Sequence, residues 1–322
     1  VRKQALLALM LATGLCARAA EFKFEDDGKS LSIREGDKPV LSYNYEPVAP
    51  PEGQGLDKAR WSRSCYIHPL YGLDGDVLTQ DFPVDHRHHR GVFWVWPHTH
   101  YGDRQMDLWL HEVAEQRFQK WIKKDIRPDA AEVEVENAWV FKDNPTTPIV
   151  KEDVDFTVHP ADETSRAIDF KLVFTNVSDK PVSFLGATGK GYGGFCLRPD
   201  ATRTGLQFSS AQGPRKEDAL YLQTPWADES SREKPDGPFS GAAIFQNPAN
   251  PGYPHPGWIL RNYGFLGASW PHLETFVLPQ GKSIELKYRL CIHRGTAEEA
   301  KVGEAFKAYE SANQPAPKAE SK

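Results

Sequence analysis

The sequence is short of sulfur. Its 322 residues include four cysteines and two methionines. No two cysteines stand as Cys-x-x-Cys, which excludes the commonest thiolate metal site and the thioredoxin-type redox motif. Four thiols also cannot form a disulfide framework in a chain of this length. Excess positive charge is missing: Lys+Arg 39 stand against Asp+Glu 44, a formal net charge of -5. Nucleic-acid binding rests on phosphate neutralisation, so this balance excludes it as a main role. After residue 19, no uncharged apolar run approaches the ~18 residues of a membrane-spanning helix. No internal repeat or low-complexity linker breaks the body of the chain, which excludes a solenoid or a string of small modules.

Aromatic and turn-forming residues are plentiful. The chain has Trp 9, Tyr 11 and Phe 17, with Gly 25 and Pro 25. So many rings exclude a solvated acidic tail, and so many turn formers favour β architecture over helix bundles. Ser30 to Arg34, Val154 to Val158, Ile168 to Phe174 and Ile284 to Ile292 alternate apolar and polar residues. That period of two predicts strands with one face buried. Glu132 to Phe141 alternates with a phase slip near Asn137, which predicts a bulge or bend. The expected fold is all-β, a large antiparallel β-sandwich with a short C-terminal helix. Thr296-Ala297-Glu298-Glu299 reads as a capping box opening that helix. Trp109 to Ile122 has helical spacing and predicts a second helix, although it can also be cut into two strands around Ala114-Glu115. Pro47 to Gly55, Asp228 to Ser240 and Gln246 to Gly257 read as long loops.

Residues 1–19 have the pattern of a signal peptide. Arg2 and Lys3 form a basic start, Ala5 to Leu15 is apolar, and Ala17-Arg18-Ala19 supplies small residues for cleavage. A membrane anchor and a lipidated Cys16 are the alternatives. Cleavage removes Arg2, Lys3 and Arg18 and no acid, so the remaining chain is more acidic still. An exported protein, periplasmic or extracellular, is expected, with residues 20–310 as one sandwich domain and 311–322 as a disordered tail. In an oxidising compartment Cys196 and Cys291 can pair, and three buried thiols are the alternative.

Six of the 11 histidines lie between Cys65 and Tyr101: His68, His86, His88, His89, His98 and His100. A β core has no use for such density, because each buried imidazole needs hydrogen-bond partners. If Asp85 to Gly91 is extended, His86, His88 and Arg90 share one face, and Asp85, Arg87 and His89 the other. Asp85 and His89 then suit an oriented pair. Imidazoles titrate near neutral pH and serve as general acids and bases. Three readings stay open. In the first, the segment is an acid–base site on a sugar, with His86, His88, His89, Asp85 and Glu152 as catalytic candidates. His68, Arg90, Trp94, Lys190, Arg198, Trp226 and Arg261 would bind substrate, the tryptophans by stacking on sugar faces. This reading needs no cofactor. In the second, His86-x-His88 and His98-x-His100 chelate a divalent metal. In the third, the histidines and tryptophans are structural. The glycines of Gly189 to Gly194 do not match a phosphate loop and fit close backbone approach instead.

The run HPLYGLDGDVLTQDFPVDHRHHRGVFW resembles a bacterial family labelled PmoA-like, or methane oxygenase. GKGYGGFCLRP, TPWADES, GAAIFQNPANPGYPHPGWILRNYG and LPQGKSIELKYRL resemble it in the same order, so the likeness covers roughly Ser42 to Gly295. Asp85, His86, His88, His89, Gly91 and Trp94 are its most specific part. The membrane methane monooxygenase subunit of that name is an integral membrane protein, so the label carries no activity to these residues. Leu278 to Lys282 and the strand after it are similar to the last strands of galactose-mutarotase-like supersandwiches. That resemblance implies a sugar-active fold hosting epimerases, lyases and glycosidases. Aldose epimerases pair a His acid with a Glu base, and the resemblance does not map that Glu onto a position of this sequence. A second class remains open beside the enzyme, a non-catalytic sugar-binding module.

Overall fold

The computed structural model describes residues 21–53 and 55–314. The signal-peptide expectation and the last eight residues of the expected tail lie outside them. The chain forms an all-β antiparallel sandwich with a short C-terminal helix. One sheet has eight strands, in the order Phe22–Asp26, Ser30–Glu35, Lys38–Asn44, Tyr66–Leu70, Val92–Val95, Gly194–Leu197, Phe265–Ala268, Trp258–Arg261. The other has nine, from Gly213–Arg215 and Thr204–Ser210 through Trp226–Arg232, Phe239–Gln246, Ser283–Arg294, Ser165–Asn176, Val150–Val158 and Ala130–Phe141 to Ala114–Arg127. A four-stranded sheet of Phe276–Leu278, Val182–Phe184, Thr99–Tyr101 and Arg104–Met106 closes one end.

Period-two sequence becomes two-faced strands. In Val150–Val158, residues 150, 152, 154, 156 and 158 are buried and the residues between them half-buried. Four of the five are Val or Phe. The fifth is Glu152, fully buried where the pattern asks for an apolar side chain. Its Oε1 accepts from Trp94 Nε1 at 2.9 Å and Asn137 Nδ2 at 2.9 Å. Its Oε2 accepts from Gln116 Nε2 at 2.8 Å and Trp139 Nε1 at 2.5 Å. Four N–H donors fill the lone-pair directions of one carboxylate, which holds no proton to donate. Burial pushes the carboxyl pKa up, and these four hydrogen bonds pull against it. Glu152 therefore ties the two sheets together through Trp94. It is no catalytic acid of the histidine segment, because none of its partners is a histidine and none lies in the loop Asp85 to Gly91. Trp94 is likewise core, fully buried, and no stacking platform.

Several expectations are corrected by the packing. Trp109 to Ile122 is not a helix: turns lead into the strand Ala114–Arg127, because pairing with Ala130–Phe141 outweighs the local period. The expected irregularity near Asn137 exists, but the register shift falls on the partner strand, between Phe118 and Lys120. Asp228 to Ser240 is not one loop. It is the end of the strand Trp226–Arg232, a turn, and the start of the strand Phe239–Gln246. Thr296 and Glu299 do form the reciprocal bonds of a capping box, at 2.8 and 3.3 Å. They close a turn ahead of the helix, which runs Val302–Ala312 and so extends into the expected tail. Trp226 packs with Phe245, Cys291, Phe306 and Tyr309 beneath that helix and offers no exposed sugar platform. Cys196 and Cys291 are free and buried in different sheets.

The strand Trp226–Arg232 carries a second buried acid. Its Ala227 joins the main core and its Trp226 the cluster under the helix, so by alternation Glu229 faces the main core. Glu229 is fully buried, and among the described residues neither carboxyl oxygen has a partner. Burial pushes its pKa well above 4.5, with Asp228 adding to the rise. A carboxyl whose folded pKa is raised leaves stability intact below the unfolded value and erodes it as pH climbs toward the folded value. Glu229→Met should therefore gain about 1–3 kcal/mol at pH 8, the cost of a partnerless buried polar group. Urea titrations across pH would show the gain shrinking toward pH 4.5; a pH-independent gain would contradict the assignment.

Candidate functional site

Trp94 points between the sheets, so Phe93 points to the outer face of the eight-stranded sheet. The register continues that face through Cys196 and Gly267. The histidine segment folds back over it. Asp85 to Gly91 is not a strand: His86 N bonds Pro83 O at 3.2 Å and His89 N bonds His86 O at 2.9 Å, two successive turns. The expected alternation of faces is absent for that reason. Gly91 ends the loop where a Cβ would lie 2.2 Å from Ile67 O, so only glycine lets the segment press against the neighbouring strand.

The turns gather the rings. His86 and His89, three residues apart, stack with centroids 4.7 Å apart and planes within 6°. His88 stands edge-on to His89 at 4.5 Å. Tyr263 stacks on His86 at 4.4 Å. Beneath them, His89 rests on Phe265 and Trp109, at 5.0 and 5.6 Å. His89 is 1% exposed, whereas His86 and His88 reach solvent in part.

Charge divides the three imidazoles. Burial, reinforced by Arg63, pushes His88 down to about 3. Burial holds His89 well below the ordinary histidine range, with His88 and Arg198 adding to it. Both rings are neutral at physiological pH. His86 differs in having a carboxylate: its Nδ1 lies 2.9 Å from Asp85 Oδ2. Asp85 pairs with His86 and not with His89 as expected. Arg198 Nη2 grips the same carboxylate, at 2.9 and 3.1 Å. Burial works to raise Asp85, but the contacts from His86 and Arg198 prevail and keep it below the usual carboxylate value. The Nε2 of His86 has no partner among the described residues. A carboxylate at ion-pair distance from one imidazole nitrogen, outside hydrogen-bond geometry, with the other nitrogen open, brings together the parts of a general base.

Around this pair lie Tyr263, Tyr192 and Arg261. The guanidinium carbons of Arg198 and Arg261 each stand 5.3 Å from the Tyr263 ring. Tyr263 Oη meets Tyr192 Oη at 3.1 Å, and Arg261 donates to Tyr192 Oη at 2.8 Å and to Asp218 at 2.7 Å. Lys190 is exposed on the glycine loop. That loop needs its glycines for close approach: a Cβ on Gly191 would lie 2.0 Å from the His272 ring.

Other expected site residues stand elsewhere. Arg90 is 1% exposed, ion-paired with Asp81, and its two terminal nitrogens donate to the carbonyls of Arg87, His89 and Trp61. It clamps the loop to the strands and presents nothing to a ligand. His68 bonds Thr79 Oγ1 at 3.0 Å, and burial lowers its pKa. His98 and His100 lie at the four-stranded sheet, and His98 is held by Gln105 and Thr188. The two H-x-H pairs do not converge, and among the described residues no group of three or more His, Cys, Asp or Glu is placed to hold a metal. The cavity that His88 lines holds only about 10 Å³, so the described residues pack closely there.

Sequence reasoning passed over Tyr192, Tyr263 and Arg63. Tyr263 lay in a segment of aromatic and charged residues around Arg261, so composition hinted at it. Arg63 gave no signal. It is 2% exposed, has no carboxylate partner among the described residues, and donates to the carbonyls of His88, Leu108 and Trp109. Burial pushes its pKa down to about 9.

No curated protein matches this sequence. Among solved structures, the chain is similar to a mutant of the heparan sulfate lyase HepC from Pedobacter heparinus, at 12% identity and a TM-score of 0.34. The match covers 91% of this chain and 38% of the lyase, so this chain spans well under half of the lyase's length. It is also similar to a GalM/aldose epimerase homologue from C. elegans, at 9% identity and a TM-score of 0.31, over 86% of this chain and 100% of that one. A family model matches residues 30–307, nearly the whole described chain, and the protein therefore belongs to the family of unknown function DUF6807.

Proposed function

We propose that this protein is an exported carbohydrate-active enzyme in which His86 moves a proton to or from a sugar. One observation carries the reading: His86 holds Nδ1 2.9 Å from a carboxylate that Arg198 also grips, and leaves Nε2 open on a partly exposed surface. Asp85, at ion-pair distance, stabilises the imidazolium that forms when Nε2 takes a proton. Arg198 keeps Asp85 ionised. His88 and His89 stay neutral beside it and do not compete for the proton. Tyr263, stacked on His86, gives a sugar ring an aromatic surface. Proton transfer of this kind serves lyase, epimerase or hydrolase chemistry alike. Export rests on the pattern of residues 1–19.

The test is a screen of neutral, oxidised and acidic oligosaccharides by mass spectrometry, with His86→Ala alongside. Turnover of at least one saccharide, lost in His86→Ala while binding persists, is the expected result. Binding without turnover across the panel would replace this reading with a sugar-binding module.

A further inference from the structure

Arg63 departs from the rule that buried charges are paired. Its guanidinium carbon stands 5.6 Å from the Phe93 ring on the outer face of the eight-stranded sheet, and its partners are all carbonyls. Taking a cation out of water without a counterion is costly, and an apolar side chain of similar volume avoids that cost. The segments that the cation joins give the reason for keeping it.

The guanidinium reaches two segments at once. Nη1 donates to the His88 carbonyl at 2.9 Å. Nη2 donates to the carbonyl of Leu108 and, at 3.4 Å, to that of Trp109. The first segment carries the imidazoles. The second carries the indole against which the rings of His88 and His89 lie, at 5.8 and 5.6 Å. Arg90 completes the seat, donating to the carbonyls of Arg87 and His89 at 2.8 and 2.7 Å. Two buried cations thus draw three consecutive carbonyls into the protein, which holds the loop in its turns. His86 lies on these neighbours, stacked on His89 at 4.7 Å and edge-on to His88 at 5.7 Å. In a close-packed cluster a backbone shift at His88 reaches His86 through both rings.

We infer that Arg63 is a positioning residue for the proton transfer proposed at His86: by tying the His88 carbonyl to the Leu108–Trp109 turn, it fixes the rings on which His86 rests. Its charge acts on the same cluster. His88 faces Arg63, Arg90 and Arg198, the rings of His86 and His89, and, across the gap it lines, Arg60 and His111. After burial itself, Arg63 is the strongest influence keeping a proton off His88.

The inference rests on the reading of His86 as the proton-transfer group, but its first test needs no substrate. Arg63→Met removes both the fork and the charge, and Arg63→Lys keeps the charge and loses the fork. Ring resonances of His86, His88 and His89 are followed against pH in long-range proton–nitrogen spectra of the whole chain, with a melting curve to verify folding. Wild-type His88 should titrate only near about 3. In Arg63→Met its midpoint should rise by about one unit or more, and in Arg63→Lys it should stay near the wild-type value. The mutual ring-current shifts of His86 and His89 should shrink in both variants. On a saccharide that the screen identifies, kcat should fall about 10- to 100-fold in Arg63→Met and less in Arg63→Lys, with KM nearly constant in both. A lower melting point with unmoved ring shifts and an unmoved His88 midpoint would make Arg63 a purely structural group and overturn the inference. If Arg63→Met does not fold, Arg63→Lys decides: ring shifts and kcat both at wild-type values would overturn it. Activity lost in His86→Ala but full in Arg63→Met would leave the proposed function standing and overturn this role alone. Absence of turnover on every saccharide would sink the catalytic reading, while the ring measurements would still decide whether Arg63 sets the cluster.

Discussion

Glu152→Gln should lower stability by about 2–4 kcal/mol, seen as a fall in the urea midpoint at constant slope. The two side chains have nearly the same shape, so packing is not the cause. Four N–H groups converge on the carboxylate, two on each oxygen. Glutamine keeps one oxygen for two of them and turns an NH₂ toward the other two. Two buried donors then lose their acceptor and face a third donor. The donors are spread over both sheets: Trp94 on the eight-stranded one, and Gln116, Asn137 and Trp139 on the nine-stranded one. A stability change below ~0.5 kcal/mol, the size expected of an indifferent surface site, would mean that the carboxylate does not organise this network.

Asp85→Asn and His86→Ala should each cost about 10²–10⁴-fold in kcat on whichever saccharide the screen identifies. His86 is the group that meets substrate. Asp85 acts through it, as a positioning residue, so its variant must show more than lost rate. Asparagine at 85 keeps the shape of the side chain without its charge, so kcat should fall while KM stays near its wild-type value. Arg198→Lys removes the two-contact grip that helps hold Asp85 below the usual carboxylate value, so activity should begin to fall at a higher pH in the acid range, with a smaller loss of rate. A KM effect in place of the kcat loss, with the acid range unmoved in Arg198→Lys, would place the proton-transfer step elsewhere in the molecule.

How much of this was legible beforehand differs by residue. The strands around Val154, Ile168 and Ile284 were readable because alternation in a half-buried sheet is written locally, two residues at a time. Trp109 to Ile122 misled because its spacing satisfied a helix while long-range pairing chose a strand. The histidine cluster was visible as composition, but its geometry was not: turns at Pro83 and His86 replaced the expected extended run and handed Asp85 to His86 instead of His89. Glu152 was noticed as an interior acid, and only its four donors, from residues 94 to 139, show it to be a core group.

Sequence alone determined the all-β class and where imidazoles would be dense, since both follow from residue type and short-range period. Tertiary structure decided which polar groups are paired and which stand open. Burial and hydrogen bonding depend on residues far apart in the chain, such as Asp85 with Arg198, and no local pattern encodes those contacts.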